Sequence, residues 1–283
     1  MLERQQWLEP VESGLQKGVA GTFEAAGWTG RVVRNFLHGV WLGHPLHPVL
    51  TDIPIGAWTA AIVLDTMDAS GNKGYARGAD LAVKIGLIGA AGSAVTGLTD
   101  WQATDGRARR TGVVHGLLNV TATALFIGSM FSRKAGNRGA GRALAIAGYA
   151  IGVASAYLGG HLVYREQIGV NHTIGTNPPE EWTPVLDDAE LREGEPRRVI
   201  AGDARVLLAR RGGEICAIGE VCSHLGGPLA EGKLEGDVVE CPWHGSRFCV
   251  RDGSVVDGPA THPQPRLEAR VSNGKIEVRK PAE

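Results

Sequence analysis

The chain changes character near residue 165. From about residue 46 to 164, apolar and small residues dominate, whereas short alternating runs and turn residues follow. Four apolar runs each have roughly the 20 residues that a transmembrane helix needs. They begin near Pro48 and then cover residues 79–98, 112–131 and 143–164. Gly, Ala, Ser and Thr are frequent in them, which lets helices approach closely in lipid. This half predicts an all-α four-helix transmembrane bundle in the bilayer.

A soluble four-helix bundle is the alternative, because Asp52, Lys84, His115 and Asn119 lie within these runs. A soluble bundle carries a charged stripe at helical period on the outer side of every helix. Residues 112–131 contain no Asp, Glu, Lys or Arg, so that stripe is missing. The membrane interpretation is therefore favoured.

The rest of the chain divides around this bundle. Residues 1–40 are partly amphipathic, which predicts a segment lying on the membrane surface. The bundle occupies residues 41–170, and a linker containing Asn177, Pro178 and Pro179 covers residues 171–182. In residues 183–283, runs such as RRVIA, ARVLLARR, EICAIG and KIEVRK alternate with GG, EG, DG and NG turns. This pattern predicts a small all-β domain.

Charge and cysteine content limit the classes of partner and ligand to be expected. The 283 residues are enough for two domains, and 29 basic against 30 acidic residues give no reason to expect a nucleic-acid partner. The four cysteines all lie in the last quarter of the chain. They are too few and too local for a disulfide scaffold, and they suit metal ligation plus buried thiols.

Two short clips in the β half are candidate metal ligands. Cys222 and His224 form a Cys-x-His pair, and Cys241 and His244 form a Cys-x-x-His pair. Two Cys and two His hold tetrahedral zinc in many structural sites. The same donors hold a [2Fe-2S] centre, with the thiolates on one iron and the imidazoles on the other. Each clip mixes one Cys with one His, whereas a zinc-finger clip usually supplies two identical ligands.

The surrounding residues resemble a known family. CSHLGGPL, CPWHGS and the GPATHPQP run at 258–265 are similar to the two cluster-binding boxes and the proline-containing loop of Rieske proteins, over about residues 183–280. The resemblance implies a [2Fe-2S] cluster. It assigns Cys222 and Cys241 to an iron that stays ferric, and His224 and His244 to the iron that changes valence.

The resemblance also implies roles for neighbouring residues. Gly226, Gly227 and Gly245 let backbone amides approach the sulfurs, or act as turn glycines. Ser246 matches a serine that donates a hydrogen bond to the cluster in high-potential members. Gly227 and Trp243 stand where respiratory members carry a disulfide, so the ferredoxin and oxygenase type, with a potential toward the low end, is expected. Cys216 and Cys249 are predicted to be buried strand residues.

The membrane half has a resemblance of its own. HPLHPVLTDIPIGAW, GLTDW, VVHGLLN and GGHLVY are similar to an uncharacterised family of four-helix bacterial membrane proteins, over about residues 35–175. With four spans, connectivity places four histidines on the membrane face that also carries the two clips. Intramembrane histidines often mark function, and haem b or another redox group is the candidate ligand. These histidines are His44, His47, His115 and His161.

Structural roles are the alternative for these histidines. His44 and His47 lie beside Pro45 and Pro48, where they would start the first span, and His115 would bond a neighbouring helix. No spacing among the four is diagnostic for haem.

The two halves together predict a membrane-anchored electron-transfer component of an oxidoreductase system. A complete Rieske oxygenase also needs an iron held by two His and a carboxylate in a large following domain. Only 39 residues follow His244, and His262 is the single histidine among them. A redox partner protein or a quinone is therefore expected. A redox sensor that uses the cluster as a reporter, and a tethered ferredoxin module serving a separate oxygenase, are the alternatives.

The side of the membrane follows from cluster assembly. A folded cluster domain would cross the inner membrane by the twin-arginine route, and no twin-arginine signal precedes a hydrophobic segment. The cluster domain is therefore predicted to be cytoplasmic.

Overall fold

The computed structural model describes residues 9–71 and 74–282, so residues 1–8 of the predicted surface segment lie outside the described residues. The chain forms two compact units. Among the described residues, the helical unit combines those up to Ala26 with Pro45–Gln167, and the β unit combines Gly27–His44 with those from Ile168 onward. Sequence patterning assigns residues 27–40 to the predicted surface segment and residues 41–44 to the transmembrane bundle. They fold with the β unit instead, through contacts to residues more than 200 positions away that leave no local signal.

Six α-helices form in the described part of the chain before residue 165. Four of them are long and apolar enough to cross a membrane, which confirms the predicted four-helix bundle. Each extends a few residues beyond its predicted run, because polar residues continue the helix past the apolar stretch. The helices are α1 Glu9–Ala25, α2 Gly27–His38, α3 Leu46–Ala69, α4 Ala76–Trp101, α5 Gly106–Lys134 and α6 Arg138–Tyr164.

Close packing and an apolar exterior characterise the bundle. Trp58 of α3 stacks on Phe126 of α5 with ring centroids 4.0 Å apart. A Cβ added to Gly86 of α4 would lie 2.1 Å from Trp58 Nε1, so glycine is needed for this approach. Large aliphatic side chains point outward, including Ile88 at 76% and Val120 at 67% exposure. An apolar outer surface of this kind suits lipid rather than water.

A buried ion-pair network joins all four spanning helices at one end of the bundle. Arg133 pairs with Asp65 and, at 3.1 Å, with Asp80, while Arg138 also reaches Asp80 at 3.1 Å. Arg142 pairs with Asp68. The negative charges of the three carboxylates equal the positive charges of the three guanidinium groups. Ionised side chains within membrane spans almost always pair with one another in this way.

Helix α1 packs on the connection between α4 and α5. Glu12 is fully buried and pairs with Arg109 at 3.1 Å. Gln16 Nε2 donates to the carbonyls of Trp101 and Thr104, at 3.0 and 2.7 Å. The described part of the predicted surface segment is therefore split, with α1 in the helical unit and α2 in the β unit.

The β unit contains two antiparallel sheets, which confirms the predicted all-β domain. The six-stranded sheet has the order β1-β10-β9-β4-β3-β2, and the four-stranded sheet has the order β5-β6-β7-β8. The strands are β1 Thr183–Asp187, β2 Arg197–Ala201, β3 Ala204–Arg211, β4 Glu214–Gly219, β5 Lys233–Glu235, β6 Val238–Glu240, β7 Arg247–Cys249, β8 Val255–Asp257, β9 Arg266–Ser272 and β10 Lys275–Arg279.

Two apolar clusters bury both faces of the larger sheet. Leu207 and Ile218 pack with Val239 and Phe248 of the smaller sheet. Leu208, the neighbour of Leu207 in β3, packs into the second cluster on the opposite face. Alternate side chains of one strand point to opposite faces, so β3 is covered on both sides. The first cluster also contains Cys222 and Cys241, so the candidate metal centre lies at the edge of this core.

Candidate metal centre

The structure brings the four candidate ligands together. Cys222 and His224 lie in the loop after β4, and Cys241 and His244 lie in the turn between β6 and β7. Both cysteines are buried. The imidazoles of His224 and His244 lie edge to face, with ring centroids 5.1 Å apart. Two sulfurs and two imidazoles therefore line one small region.

Both clips are built on the same turn. The Cys222 amide donates to the carbonyl of Gly227 at 2.8 Å, and the Gly226 amide donates back to the Cys222 carbonyl at 2.9 Å. In the second clip the same offsets recur, from Cys241 to Ser246 at 2.8 Å and from Gly245 to Cys241 at 3.1 Å.

Two of the expected neighbouring glycines have a turn role. Gly226 and Gly245 have φ angles of 77° and 73°. An L side chain is strained in that region, so these glycines permit the turns.

Two backbone amides donate to each sulfur. The amides of His224 and Leu225 donate to Cys222 Sγ, and those of Trp243 and His244 donate to Cys241 Sγ. Such donors stabilise thiolate charge.

The two thiols share a hydrogen bond. It raises the pKa of Cys222 and lowers the pKa of Cys241 to about 7. One thiolate is therefore available near neutral pH, and the second requires a positive charge beside it, which a metal supplies.

Gly227 lies where no side chain fits. A Cβ at this position would be 2.8 Å from Cys241 Sγ and 3.1 Å from the Trp243 ring. Carbon and sulfur normally approach no closer than about 3.5 Å. Of the three glycines, Gly227 is the one that allows one clip to cover the sulfur of the other.

His224 has the features of a metal ligand. Its Nδ1 atom is buried and has no hydrogen-bond partner among the described residues. Burial, with a smaller contribution from His244, lowers the pKa of His224 to about 3, so the ring is neutral at physiological pH. A buried nitrogen without a partner costs about 1–3 kcal/mol unless something binds it. Its lone pair is therefore placed for a metal.

The donor set fits a [2Fe-2S] cluster. Two thiolates held by amides and two neutral imidazoles are the ligands of that group. Among residues 9–71 and 74–282, no group of three or more His, Cys, Asp or Glu side chains is arranged to hold a single metal ion. A two-iron cluster asks for only two protein ligands at each iron.

The proline-containing loop at residues 258–265 is tied to both clips. Ser246 Oγ accepts a hydrogen bond from the Ala260 amide at 3.0 Å. This contact leaves the serine hydroxyl hydrogen for a further acceptor. Ser223 Oγ donates to the His262 carbonyl at 2.6 Å. The buried Gln264 amide fits with its nitrogen toward the Gly219 and Val221 carbonyls and its oxygen 2.8 Å from the Ser223 amide.

Sequence reasoning missed Ser223 and Gln264 as parts of the site. Both lie inside motifs that carry the resemblance, Ser223 between the two ligands of the first clip and Gln264 in the proline-containing loop, and that placement was the available signal.

The structure brings together two of the four membrane histidines. His47 of α3 and His115 of α5 have ring centroids 6.5 Å apart. His47 Nδ1 lies 2.9 Å from the Ser93 carbonyl, and His115 Nδ1 lies 2.8 Å from the Ser155 carbonyl, each on a neighbouring helix. His115 therefore does bond a neighbouring helix. His47 does the same rather than capping α3, whose cap position is Pro45 and shows no side-chain cap bond.

The other two membrane histidines have different surroundings. His161 Nε2 lies 3.4 Å from a carboxylate oxygen of Glu166. His44 belongs to the β unit.

Comparison with known proteins follows the two units. A family model described as the Rieske [2Fe-2S] domain matches residues 181–272, and one described as a predicted membrane protein, DUF2231, matches residues 43–172. Apoptosis-inducing factor 3 of Homo sapiens is 36% identical over 119 residues, which are 42% of this chain. The chain spans only 20% of the length of that relative.

Smaller relatives are covered almost entirely. The anthranilate 1,2-dioxygenase ferredoxin subunit of Burkholderia cepacia is 35% identical over 98 residues, covering 35% of this chain and 91% of that protein. The solved ferredoxin of carbazole 1,9a-dioxygenase from Nocardioides aromaticivorans IC177 is 27% identical, with a TM-score of 0.35 and coverage of 36% of this chain and 100% of that one. The chain belongs to the Rieske [2Fe-2S] domain family, and its four apolar helices match the DUF2231 membrane family.

Proposed function

We propose that this protein is a membrane-anchored one-electron carrier, with a [2Fe-2S] cluster held by Cys222, His224, Cys241 and His244. The observation that carries the proposal is the buried, unpartnered Nδ1 of His224, whose ring lies 5.1 Å from that of His244, in a pair of clips that also holds two amide-supported thiols. When bound, such a cluster gains or loses one electron between its diferric and mixed-valence forms.

The residues of this chain would set the potential of that electron. Neutral imidazoles in place of two thiolates lower the negative charge at the site, which raises the potential relative to a four-cysteine ferredoxin. The amides directed at Cys222 and Cys241 act in the same direction. Gly227 and Trp243 leave no place for a bracing disulfide, which supports a potential toward the low end of the Rieske range. The Ser246 hydroxyl hydrogen, if donated to the cluster, would raise it somewhat.

A separate redox protein is the proposed electron partner. Trp243 is 57% exposed and its ring centroid lies 6.4 Å from that of His244, so the histidine side of the site reaches the surface. An electron enters from one protein and leaves to another, so no bond forms or breaks. Relatives that are ferredoxin subunits of dioxygenases favour this partner class over a sensor role.

Cysteine variants test the ligand set, and the chain supplies its own controls. Cys222→Ser and Cys241→Ser should abolish bound iron and the EPR signal of the reduced protein. Cys216→Ser and Cys249→Ser remove thiols that lie in strands of the same unit, and they should retain both. Equal iron content in all four variants would exclude the proposed ligands.

We also propose that His47 and His115 bind a second redox group, either haem b or a quinone. The Nδ1 atoms of both histidines lie at backbone carbonyls. In metal-binding histidines, such a contact fixes the ring and leaves Nε2 available as the ligand. Asn119 Nδ2 lies 3.0 Å from His115 Nε2 and would have to turn away from an iron.

Spectra of the purified protein test this second group. Haem absorbance that is lost in His115→Ala and kept in His161→Ala would support a haem. Extraction of the purified protein with organic solvent tests for a bound quinone. A preparation that contains neither haem nor quinone would refute both alternatives.

We place the β unit on the cytoplasmic side of the inner membrane. Four spans are an even number, so the segments before α3 and after α6 emerge on the same face. Cytoplasmic assembly of iron–sulfur clusters supports that side. C-terminal fusions to a fluorescent protein and to alkaline phosphatase test the placement, because only the first should be active. An active phosphatase fusion would reverse it.

A further inference from the structure

Helix α2 has two chemically different faces. Gly30, Arg34 and His38 recur every four residues on one face, and Trp28, Val32 and Phe36 recur at the same interval on the other. His38 is 1% exposed, whereas Trp28 and Phe36 are 73% and 55% exposed. The large apolar side chains of this helix therefore point away from the β unit, to which the helix belongs.

The polar edge of α2 holds the start of the proline-containing loop. Asn35 Nδ2 donates to Asp257 Oδ1 at 2.8 Å, and Asn35 Oδ1 accepts from the Gly258 amide at 3.0 Å. Asp257 is buried and also pairs with Arg247 at 3.1 Å. One side chain of α2 thus binds both a buried carboxylate and the backbone where the loop begins.

His38 continues this contact toward the metal centre. A Cβ added to Gly258 would lie 3.0 Å from the His38 ring, so the ring packs directly on that residue. Two residues further on, the Ala260 amide donates to Ser246 beside the second clip. Helix α2 is therefore connected to the candidate cluster site through a short stretch of backbone.

The other face of α2 has the composition of a helix that lies in a membrane surface. Val32 and Val33 are 47% and 44% exposed, and the 60% exposed Trp41 stacks on Phe36 with ring centroids 5.6 Å apart. Tryptophan and phenylalanine on one face with arginine on the other are typical of interfacial helices.

Charge and connectivity identify the occupant as lipid. Residues 25–51 contain no Asp or Glu, and Arg31, whose side chain is 49% exposed and lies 3.9 Å from Asp257, favours anionic headgroups. The first membrane span begins at Leu46, eight residues after α2 ends. The chain therefore tethers α2 to the first span through a short connection.

We infer that α2 lies in the bilayer surface through Trp28, Val32 and Phe36, and that its Asn35 and His38 side holds the loop over the metal centre. The helix gives the cluster a fixed orientation relative to the membrane. This inference rests on the proposed function only in that the chain spans the membrane and carries a cluster.

Depth-dependent quenching tests the membrane contact in the full-length protein. Phe36→Cys and the exposed control Lys275→Cys are labelled with a fluorophore in vesicles of phosphatidylglycerol and phosphatidylcholine, with unsubstituted protein as the labelling blank. Doxyl-labelled lipid should quench the residue 36 label several-fold more than the residue 275 label. Equal quenching at the two positions would overturn the inference. A face covered by a protein partner instead of lipid would give this result.

Oriented membranes test the fixed orientation. The EPR signal of the reduced cluster should change with the angle between the membrane and the field in the parent protein. The dependence should be lost in Asn35→Ala and in Phe36→Glu, with the spin count per protein unchanged in Phe36→Glu, whose side chain is exposed. An angle-independent parent signal overturns the inference, whereas a missing signal overturns the proposed function. If Asn35→Ala fails to assemble a cluster, Phe36→Glu decides alone.

Discussion

Replacing Gly227 with alanine tests whether close approach to a sulfur is the reason for glycine at that position. The added Cβ would lie 2.8 Å from Cys241 Sγ, and the Trp243 ring is the next neighbour at 3.1 Å. Trp243 is exposed and can rotate away. Cys241 cannot, because its amide and carbonyl both hold the turn and its sulfur is a proposed ligand.

The contact sets the size of the effect. A normal carbon to sulfur separation needs roughly 3.5 Å or more, so the clip must move by most of an ångström. Overpacking of that kind costs about 1–3 kcal/mol, which corresponds to a factor of about 5–150 in an equilibrium constant. We expect Gly227→Ala to lower the iron content per protein at equal expression and to lower the thermal midpoint of the β unit.

Gly245→Ala is the matched control in the other clip. Gly245 has a φ of 73°, and a Cβ there would meet nothing within 4 Å. The substitution costs about 1–2 kcal/mol of backbone strain without pushing on a sulfur. Both variants should destabilise the unit, but only Gly227→Ala should alter the EPR line shape of the clusters that remain. An unaltered line shape in Gly227→Ala, with full iron content, would refute the steric explanation.

Other perturbations probe separate parts of the molecule. Ser246→Ala leaves the buried Ala260 amide without its acceptor. We expect the free energy of unfolding to fall by about 1–3 kcal/mol and the reduction potential to fall as well. An unchanged unfolding midpoint would contradict the contact. Asp65→Ala removes one of the carboxylates that pair with Arg133 inside the bundle. We expect the free energy of unfolding in detergent to fall by about 3–5 kcal/mol, and a change near zero would show that the network is solvated. The hydrogen bond from Arg251 is the main cause that lowers the pKa of Asp237. A carboxyl whose folded-state pKa is depressed stabilises the fold above its unfolded pKa, near 4, and loses that contribution as the pH falls through the folded value. Melting curves should therefore show a smaller acid-induced drop for Asp237→Asn than for the parent protein.

Local chemistry explains what the sequence could predict. The two clips lie within short loops, so their spacing identified the candidate metal ligands, and the family resemblance added the glycines around them. Runs such as 204–211 and 214–219 coincide with β3 and β4, because each has several consecutive apolar residues and the two runs are separated by a Gly-Gly turn. Strand β5 was missed because only three residues form it, two of them charged.

Long-range contacts explain what the sequence could not predict. No pattern around Asn35 indicates a partner at Asp257, more than 200 residues later, so the amphipathic segment could be recognised but its attachment could not. Close packing likewise separates Gly227 from Gly226 and Gly245, which look alike as sequence. Among the membrane histidines, His47 and His115 meet only because α3 and α5 belong to one bundle.

Pulsed EPR of the reduced, detergent-purified protein tests the central proposal most directly. If His224 and His244 hold the iron that accepts the electron, the spectrum should show two strongly coupled nitrogens, in a preparation with two irons per chain. Replacement of either histidine by Ala should remove its coupling or the whole signal. A cluster without nitrogen coupling, or a zinc-containing protein with no signal after reduction, would contradict the proposed site.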